Sequence, residues 1–213
     1  MSLPDNSVDL AKAAMEGGAD ALKVHINTEH KAANKTFGTF TEEREKLAKI
    51  IKAVKIPVGL VLGTEVLPDE AEMDAIKDLG FDYFDVLQEF IPDWLYKFEG
   101  MGRMVALDER YTFDRIMGLA YQGAQMIEAA VVPKSGYGER VQIGDLKHYI
   151  SIASSMDIPV VVPTQREILP KEIPILTDTG IKGIIIGAIV TGKTPHSIEK
   201  ATAEFRYSID NLE

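Results

Sequence analysis

One pattern recurs along the chain and limits what it can fold into. A helix-length segment ends in glycine, one small or apolar residue follows, and then a short apolar run begins. The junctions are Gly18-Ala19, Gly80-Phe81, Gly123-Ala124 and Gly180-Ile181. Glycine suits the left-handed conformation that closes many helices, and a short apolar run bounded by turn residues suits a buried strand. A second opening alternates with the first, at Ile56-Pro57-Val58 and Ile158-Pro159-Val160. There proline stands at a strand start, a position that needs no ladder donor. The result is a βα repeat of about 20–40 residues per unit.

The pattern predicts strands at 20–26, 57–63, 82–88, 103–108, 125–132, 159–164 and 182–188. Helices are predicted at 7–18, 41–54, 68–79, 91–100, 112–122, 144–156, 169–179 and 195–211. Thr39 and Glu42 have the spacing of a capping box for the helix at 41–54, and Leu47, Ile50, Ile51 and Val54 form its apolar stripe. Strict alternation without a change of composition implies one α/β domain over 1–213, built on a parallel sheet. No early G-x-G-x-x-G favours an open dinucleotide-binding sheet. A TIM-type (β/α) barrel is therefore expected, but with seven strands where eight are usual. About six residues precede the first helix, too few for a strand and its turn. On this reading the first strand is missing, and Met1-Ser2-Leu3 is an added remnant. A slit should then lie between the strands at 20–26 and 182–188. Exposed strand edges invite pairing or covering, so a homodimer or a covering segment is expected there.

The last unit carries the most chemistry. Gly183-Ile184-Ile185-Ile186-Gly187-Ala188 is an apolar strand running into a small-residue turn, and a helix starts near Thr194-Pro195. Bare backbone amides at Gly187 and Ala188, with a helix N-terminus nearby, suit an anion, above all a phosphate. Gly187 to Thr194 also spells G-x-x-x-x-G-K-T. That motif belongs after an early strand and needs a later strand with a magnesium-binding Asp. Here the chain ends one helix later and Pro195 sits at the helix start, so the nucleotide-binding reading is rejected.

Composition narrows the partners. The net charge is −10 with no basic cluster, which argues against nucleic acid. Cysteine is absent, which removes disulfides, thiol catalysis and thiolate metal sites. No apolar run is long enough to span a membrane, and no signal peptide is visible, so a cytoplasmic protein is expected.

The Ala-rich first helix with Gly17-Gly18-Ala19, the Ile56-Pro57-Val58 and Pro159-Val160 openings, Gly123-Ala124, Ser135-Gly136-Tyr137, and Ile186-Gly187-Ala188-Ile189-Val190-Thr191 together resemble the ribulose-phosphate-binding barrel superfamily. The layout is most similar to the N-acetylmannosamine-6-phosphate 2-epimerase family. The resemblance implies a (β/α) barrel and a phosphorylated ligand. It does not imply the epimerase reaction. Where that family carries a catalytic lysine this chain has Val61-Leu62-Gly63-Thr64, and where it carries a glutamate this chain has Val162-Pro163-Thr164-Gln165.

Strand alternation sorts the polar residues. Leu22, Val24 and Ile26 must face the helices, which turns Lys23 and His25 inward; the same argument turns Asp85, Asp108 and Glu128 inward. Gln165 and Arg166 follow the penultimate strand at the mouth and are candidates, with Gly187 and Ala188, for holding phosphate. A lysine, a histidine and carboxylates in one low-dielectric space suit proton transfer beside a carbonyl. A desolvated lysine could instead form a Schiff base. The competing reading is a buried ion-pair network of Lys23 with Glu128 or Asp85. The ligand is then a small phosphorylated metabolite and the reaction an isomerisation, epimerisation or lyase cleavage, or else the barrel binds without turnover. No cofactor is required; Mg²⁺ between Asp108 and Glu128 is the one metal the residues would allow. The loop 27–40, with His30, Lys31 and Lys35, is long enough to be a lid, and 134–138 is a second mobile turn. His148 and His196 fall on helix surfaces.

Overall fold

The computed structural model describes residues 1–212. Seven parallel strands form one curled sheet in the order β1 (Leu22–His25), β4 (Val58–Val61), β5 (Tyr83–Leu87), β6 (Gly102–Ala106), β7 (Met126–Glu128), β8 (Val160–Pro163) and β9 (Gly183–Ile185). Helices alternate with them: α1 (Val8–Glu16), α2 (Phe40–Ala53), α3 (Glu70–Leu79), α4 (Phe113–Met117), α5 (Leu119–Gln122), α6 (Ile143–Ser154), α7 (Ile173–Thr177), α8 (Ala188–Thr191) and α9 (Pro195–Asp210). The expected parallel (β/α) barrel is thus the observed fold. The glycines that end the repeating units share one conformation. Gly18, Gly80, Gly123 and Gly180 all have positive φ, between 89° and 123°. This is the left-handed region where an added Cβ is strained.

The sheet has two faces with different jobs. Leu22, Val24, Leu60, Phe84, Val105, Ile127 and Val162 point outward and are buried under the helices, in the main hydrophobic core. Residues of opposite parity point into the barrel. Met104, Val161 and Ile185 form a second, smaller cluster there, with Tyr83 and Met126 against it. Helix α1 packs on α9 and α2, so the first and last helices are neighbours.

The seam between β1 and β9 is not an open slit. Met1–Leu3 occupies it as a minimal strand, the covering segment that the exposed edges called for. Ser2 N–H donates to Ile186 O at 2.8 Å on the β9 side. On the β1 side, Lys23 N–H donates to Met1 O at 2.8 Å and Leu3 N–H to Lys23 O at 2.9 Å, in parallel register. The Asn6 side chain then continues the ladder. Its Oδ1 accepts from His25 N–H at 3.2 Å and its Nδ2 donates to His25 O at 2.8 Å. Three residues suffice to fill the seam, because a side-chain amide replaces the backbone the segment lacks.

Other differences are local. The 27–40 loop is a β-hairpin, β2 (Thr28–His30) paired antiparallel with β3 (Lys35–Phe37). Its turn is a 3₁₀ segment, Lys31–Ala33, closed by Asn34 at φ 50°. The helix expected at 91–100 is one 3₁₀ turn, Leu95–Lys97, started by Leu95 N–H on Pro92 O. Ile91, Trp94, Leu95 and Phe98 have helical spacing, but proline at the start and Gly100 at φ 89° leave one turn between two breaks. The helix at 112–122 is split in two at Gly118, and that at 169–179 is reduced to Ile173–Thr177 after a 3₁₀ turn at Pro170–Glu172. Among the described residues no helix is long and apolar enough to cross a membrane.

Candidate functional site at the barrel mouth

The C-terminal ends of the strands surround a cavity of about 300 Å³. Its floor is a three-residue ion cluster. Lys23 on β1, Asp85 on β5 and Glu128 on β7 are all buried. Lys23 Nζ donates to Asp85 Oδ2 at 2.8 Å and to Glu128 Oε2 at 2.5 Å. Each comes from a different strand at an inward position, so strand alternation alone brings them together. An ammonium has three donors; two are used on carboxylates.

The cluster separates its members electrostatically. Burial alone would lower the Lys23 ammonium, but the Asp85 and Glu128 carboxylates outweigh it and hold the lysine above its ordinary value. Burial, reinforced by the Glu128 charge, pushes the Asp85 carboxyl well up against the pull of Lys23. Glu128 goes the other way: burial would raise it, and the Lys23 charge with hydrogen bonds from Asp85 and Lys23 brings it below its ordinary value. The cluster thus favours the charged forms of Lys23 and Glu128 and disfavours that of Asp85. Asp85 Oδ1 is buried with no partner among the described residues.

A pair of imidazoles forms one wall. His25, buried at the end of β1, stacks on Phe37 of the hairpin with ring centroids 4.8 Å apart. His30, also on the hairpin, meets it edge-on at 4.7 Å. His25 Nε2 lies 3.3 Å from Ser2 Oγ, while its Nδ1 is buried without a partner. Burial, then His30 and Lys23, pushes His25 well below its ordinary value, so it is neutral. Burial and Lys23 also lower His30. His30 Nδ1 accepts from Ala33 N–H at 3.1 Å, which places the ring proton on Nε2.

The turn after β9 closes the far side. Gly187, Ala188 and Ile189 line the cavity. Gly187 N–H donates to Thr164 Oγ1 at 2.9 Å, and the next amides lie in the first turn of α8, where no helical partner exists. The 3₁₀ turn of the hairpin packs on α8, and Lys193 Nζ donates to Ala33 O. Lys193, the lysine of the rejected G-x-x-x-x-G-K-T reading, thus serves as a latch for the hairpin.

Two candidates fall elsewhere, and a third has a different job. Arg166 is committed to α6 and its approach: its guanidinium donates to Asp145 at 2.9 and 3.2 Å, to Glu139 at 2.8 Å and to Gly136 O at 2.9 Å. It is absent from the cavity lining. Asp108 accepts from Arg110 N–H at 2.9 Å and from its guanidinium at 2.7 Å, and it too is absent from the lining, so it does not converge with Glu128 on a Mg²⁺ site. The buried charge of Arg166 needed acids, and helix α6 offered one closer than the mouth could. Gln165 does line the cavity, but as a brace. Its Oε1 accepts from Val132 N–H at 3.0 Å, and its Nε2 donates to Ala130 O at 3.1 Å and Tyr137 Oη at 2.7 Å. His148 and His196 are exposed, and Tyr111 holds His148 at 2.7 Å. Ser2 and Thr164 went unmarked in the sequence. Nothing in their local pattern singles them out, since each enters the site only through the neighbouring strand.

No protein-family profile matches this sequence, and no curated protein matches it. Solved structures do match in shape. N-(5′-phosphoribosyl)anthranilate isomerase from Pyrococcus furiosus has a TM-score of 0.67 at 20% identity, over 99% of this chain and 98% of that one. 3-Hexulose-6-phosphate synthase has 0.67 at 17%, over 97% of each chain. Thiamine phosphate pyrophosphorylase from Pyrococcus furiosus has 0.65 at 17%, over 95% of this chain and 89% of that one. At these identities the likeness defines the fold: a (β/α) barrel of the kind these enzymes use.

Proposed function

We propose that this chain is an enzyme that binds a small phosphorylated metabolite at the barrel mouth and moves a proton beside a carbonyl group. The observation that carries this reading is the Lys23–Asp85–Glu128 cluster, which opens on the same cavity as the Gly187–Ala188 turn. Three neighbours in fold are named for phosphorylated compounds, which favours the same ligand class here.

In the proposed step the phosphate rests on the first-turn amides after β9. The remaining Lys23 N–H faces the carbonyl oxygen. An ionised carboxylate, Glu128, takes the proton from the adjacent carbon, and the electron pair moves to the oxygen beside the ammonium. Returning the proton to the former carbonyl carbon, while the hydroxyl proton of the adjacent carbon passes to the former carbonyl oxygen, gives an isomer; a proton supplied to the opposite face by a second acid or by water gives an epimer. Breaking a carbon–carbon bond in place of C–H uses the same electron sink. A charged lysine suits this role and disfavours a Schiff base, which needs a neutral amine. One observation favours a rival, a binding barrel without turnover: the Lys23 charge is already matched by Glu128, as in a structural ion pair.

A thermal-shift screen of sugar phosphates tests the reading, since a ligand bound only by the folded state raises the midpoint. A hit should then lose its α-proton to D₂O in an NMR assay, and Glu128→Gln should stop the exchange. Binding without exchange selects the rival, and no hit among sugar phosphates sinks both. Gly187→Val should weaken any hit at least about tenfold, roughly 1.4 kcal/mol. The backbone there is extended and a Cβ would meet only ordinary contacts near 3.8 Å, so the fold should survive the change.

A further inference from the structure

The turn that follows β7 carries a hydroxyl group that the proposed step leaves unused. Its sequence, Pro133-Lys134-Ser135-Gly136-Tyr137-Gly138, reads as flexible, yet the chain is pinned at both glycines. Arg166 Nη1 donates to Gly136 O at 2.9 Å, and Gly138 N–H donates to Gln165 O at 2.9 Å. Within the turn, Gly136 N–H donates to Pro133 O at 2.8 Å. Position 136 needs glycine, because a Cβ there would lie 2.5 Å from the Arg166 guanidinium. Arg166 is itself fixed by Asp145 and Glu139. The two residues after β8 thus clamp the turn from one side.

The Gln165 side chain then aims the residue between the two glycines. Its Oε1 takes the Val132 N–H at 3.0 Å, which decides which end of the amide donates. The two Nε2 hydrogens go to Ala130 O at 3.1 Å and to Tyr137 Oη at 2.7 Å. Tyr137 Oη is therefore the acceptor in that bond, and its own hydrogen has no acceptor among the described residues. Burial holds the phenol above its ordinary value against the pull of the Gln165 bond, and the charges of Glu128 and Glu109 add to the rise. The hydrogen thus stays on the oxygen at neutral pH. Tyr137 lines the mouth cavity together with Glu128, the last residue of β7. A fixed amide, a pinned turn and an unspent O–H make a preorganised donor.

We propose that Tyr137 determines specificity at the mouth: its O–H donates to the oxygen on the carbon beside the carbonyl, so the site selects 2-hydroxy sugar phosphates over their 2-deoxy counterparts. This rests on the sugar-phosphate reading of the mouth, but not on turnover. The choice of oxygen follows from Glu128. That carboxylate must reach the hydrogen of the carbon next to the carbonyl, and Tyr137 stands on the turn that leaves the same strand. The oxygen of that carbon is the one it meets. With Lys23 on the carbonyl oxygen, each of the two oxygens of an α-hydroxy carbonyl receives one donor. A 2-deoxy analogue leaves the Tyr137 hydrogen without an acceptor.

The test measures affinities on the full chain by titration calorimetry with two matched pairs. These are ribose 5-phosphate with 2-deoxyribose 5-phosphate, and glucose 6-phosphate with 2-deoxyglucose 6-phosphate. In at least one pair the hydroxy compound should bind about three- to tenfold tighter. Tyr137→Phe should erase that preference by weakening the hydroxy compound alone, whereas loss of a merely structural hydroxyl would weaken both members alike. Gln165→Leu keeps the tyrosine but removes its aim, so the preference should shrink there too, and this variant decides if Tyr137→Phe does not fold. Three results overturn the role of Tyr137 and leave the phosphate site standing: equal wild-type affinities within both pairs, a preference that survives in the deciding variant, or equal weakening of both members. If no member of either pair binds, the sugar-phosphate reading fails and this assignment falls with it.

Discussion

Gly59 and Tyr83 sit on neighbouring strands, and the ring of one occupies the place of a side chain on the other. A Cβ added at Gly59 would lie 2.1 Å from the Tyr83 ring, whose hydroxyl donates to Leu22 O at 2.8 Å. Gly59→Ala should therefore cost about 1–3 kcal/mol by overpacking, and the cost should vanish in a Tyr83→Ala background, as a denaturant-unfolding cycle would read. His25 makes a pH prediction. Its folded pKa lies well below 6.5, with only His30 and Lys23 as charged neighbours acting on it. Below about pH 6.5 the unfolded chain takes up a proton that the folded chain refuses, so stability falls as pH falls, by up to about 1.4 kcal/mol per pH unit. His25→Phe, which keeps the stack on Phe37, should flatten that slope, and an unchanged slope would mean that His25 is not the buried neutral group seen here. Lys23→Met leaves Asp85 and Glu128 facing each other without a cation and should cost about 3–5 kcal/mol. Adding Glu128→Leu should recover part of this loss in thermal unfolding. At this scale the sequence was informative where alternation decides, as for Lys23, Asp85 and Glu128. It was uninformative where a charged group chooses between partners from distant elements, as for Arg166 and Asp108.

Elements divide along the same line. Helix α2 begins where Thr39 and Glu42 said it would, with Thr39 N–H on Glu42 Oε2 at 2.7 Å, because a capping box is a purely local device. The glycine-ended units were legible for the same reason. The β2–β3 hairpin was not, since its residues lack alternation and its three paired positions gain stability by packing on the mouth. Phe37 is buried against His25, and Lys193 reaches in from beyond α8 to the Ala33 carbonyl. Lys193→Ala removes that tie. Amide hydrogen exchange in residues 28–37 should then quicken about three- to tenfold, with the rest of the chain unaffected. Uniform exchange across the variant and wild type would show that the hairpin is held by its apolar contacts alone.

For the whole molecule, the barrel is closed by its first three residues. Counting residues before α1 argued against a strand, because the count assumed that strand and turn must be backbone throughout. Removing residues 1–6 should free one edge each of β1 and β9, and an eluted species larger than a monomer in size-exclusion chromatography would report the pairing of those edges. A truncated chain that stays monomeric and keeps its full melting temperature would show that the segment is ornamental. The closure also imposes an order of events. The Ser2 N–H finds its acceptor, the Ile186 carbonyl, just past the last strand of the sheet to be made. Likewise α1 must wait for α9. Residues 1–3 can therefore pair with β1 early, but their other edge stays unfilled until β9 has been made, so the ring closes only once every strand is present.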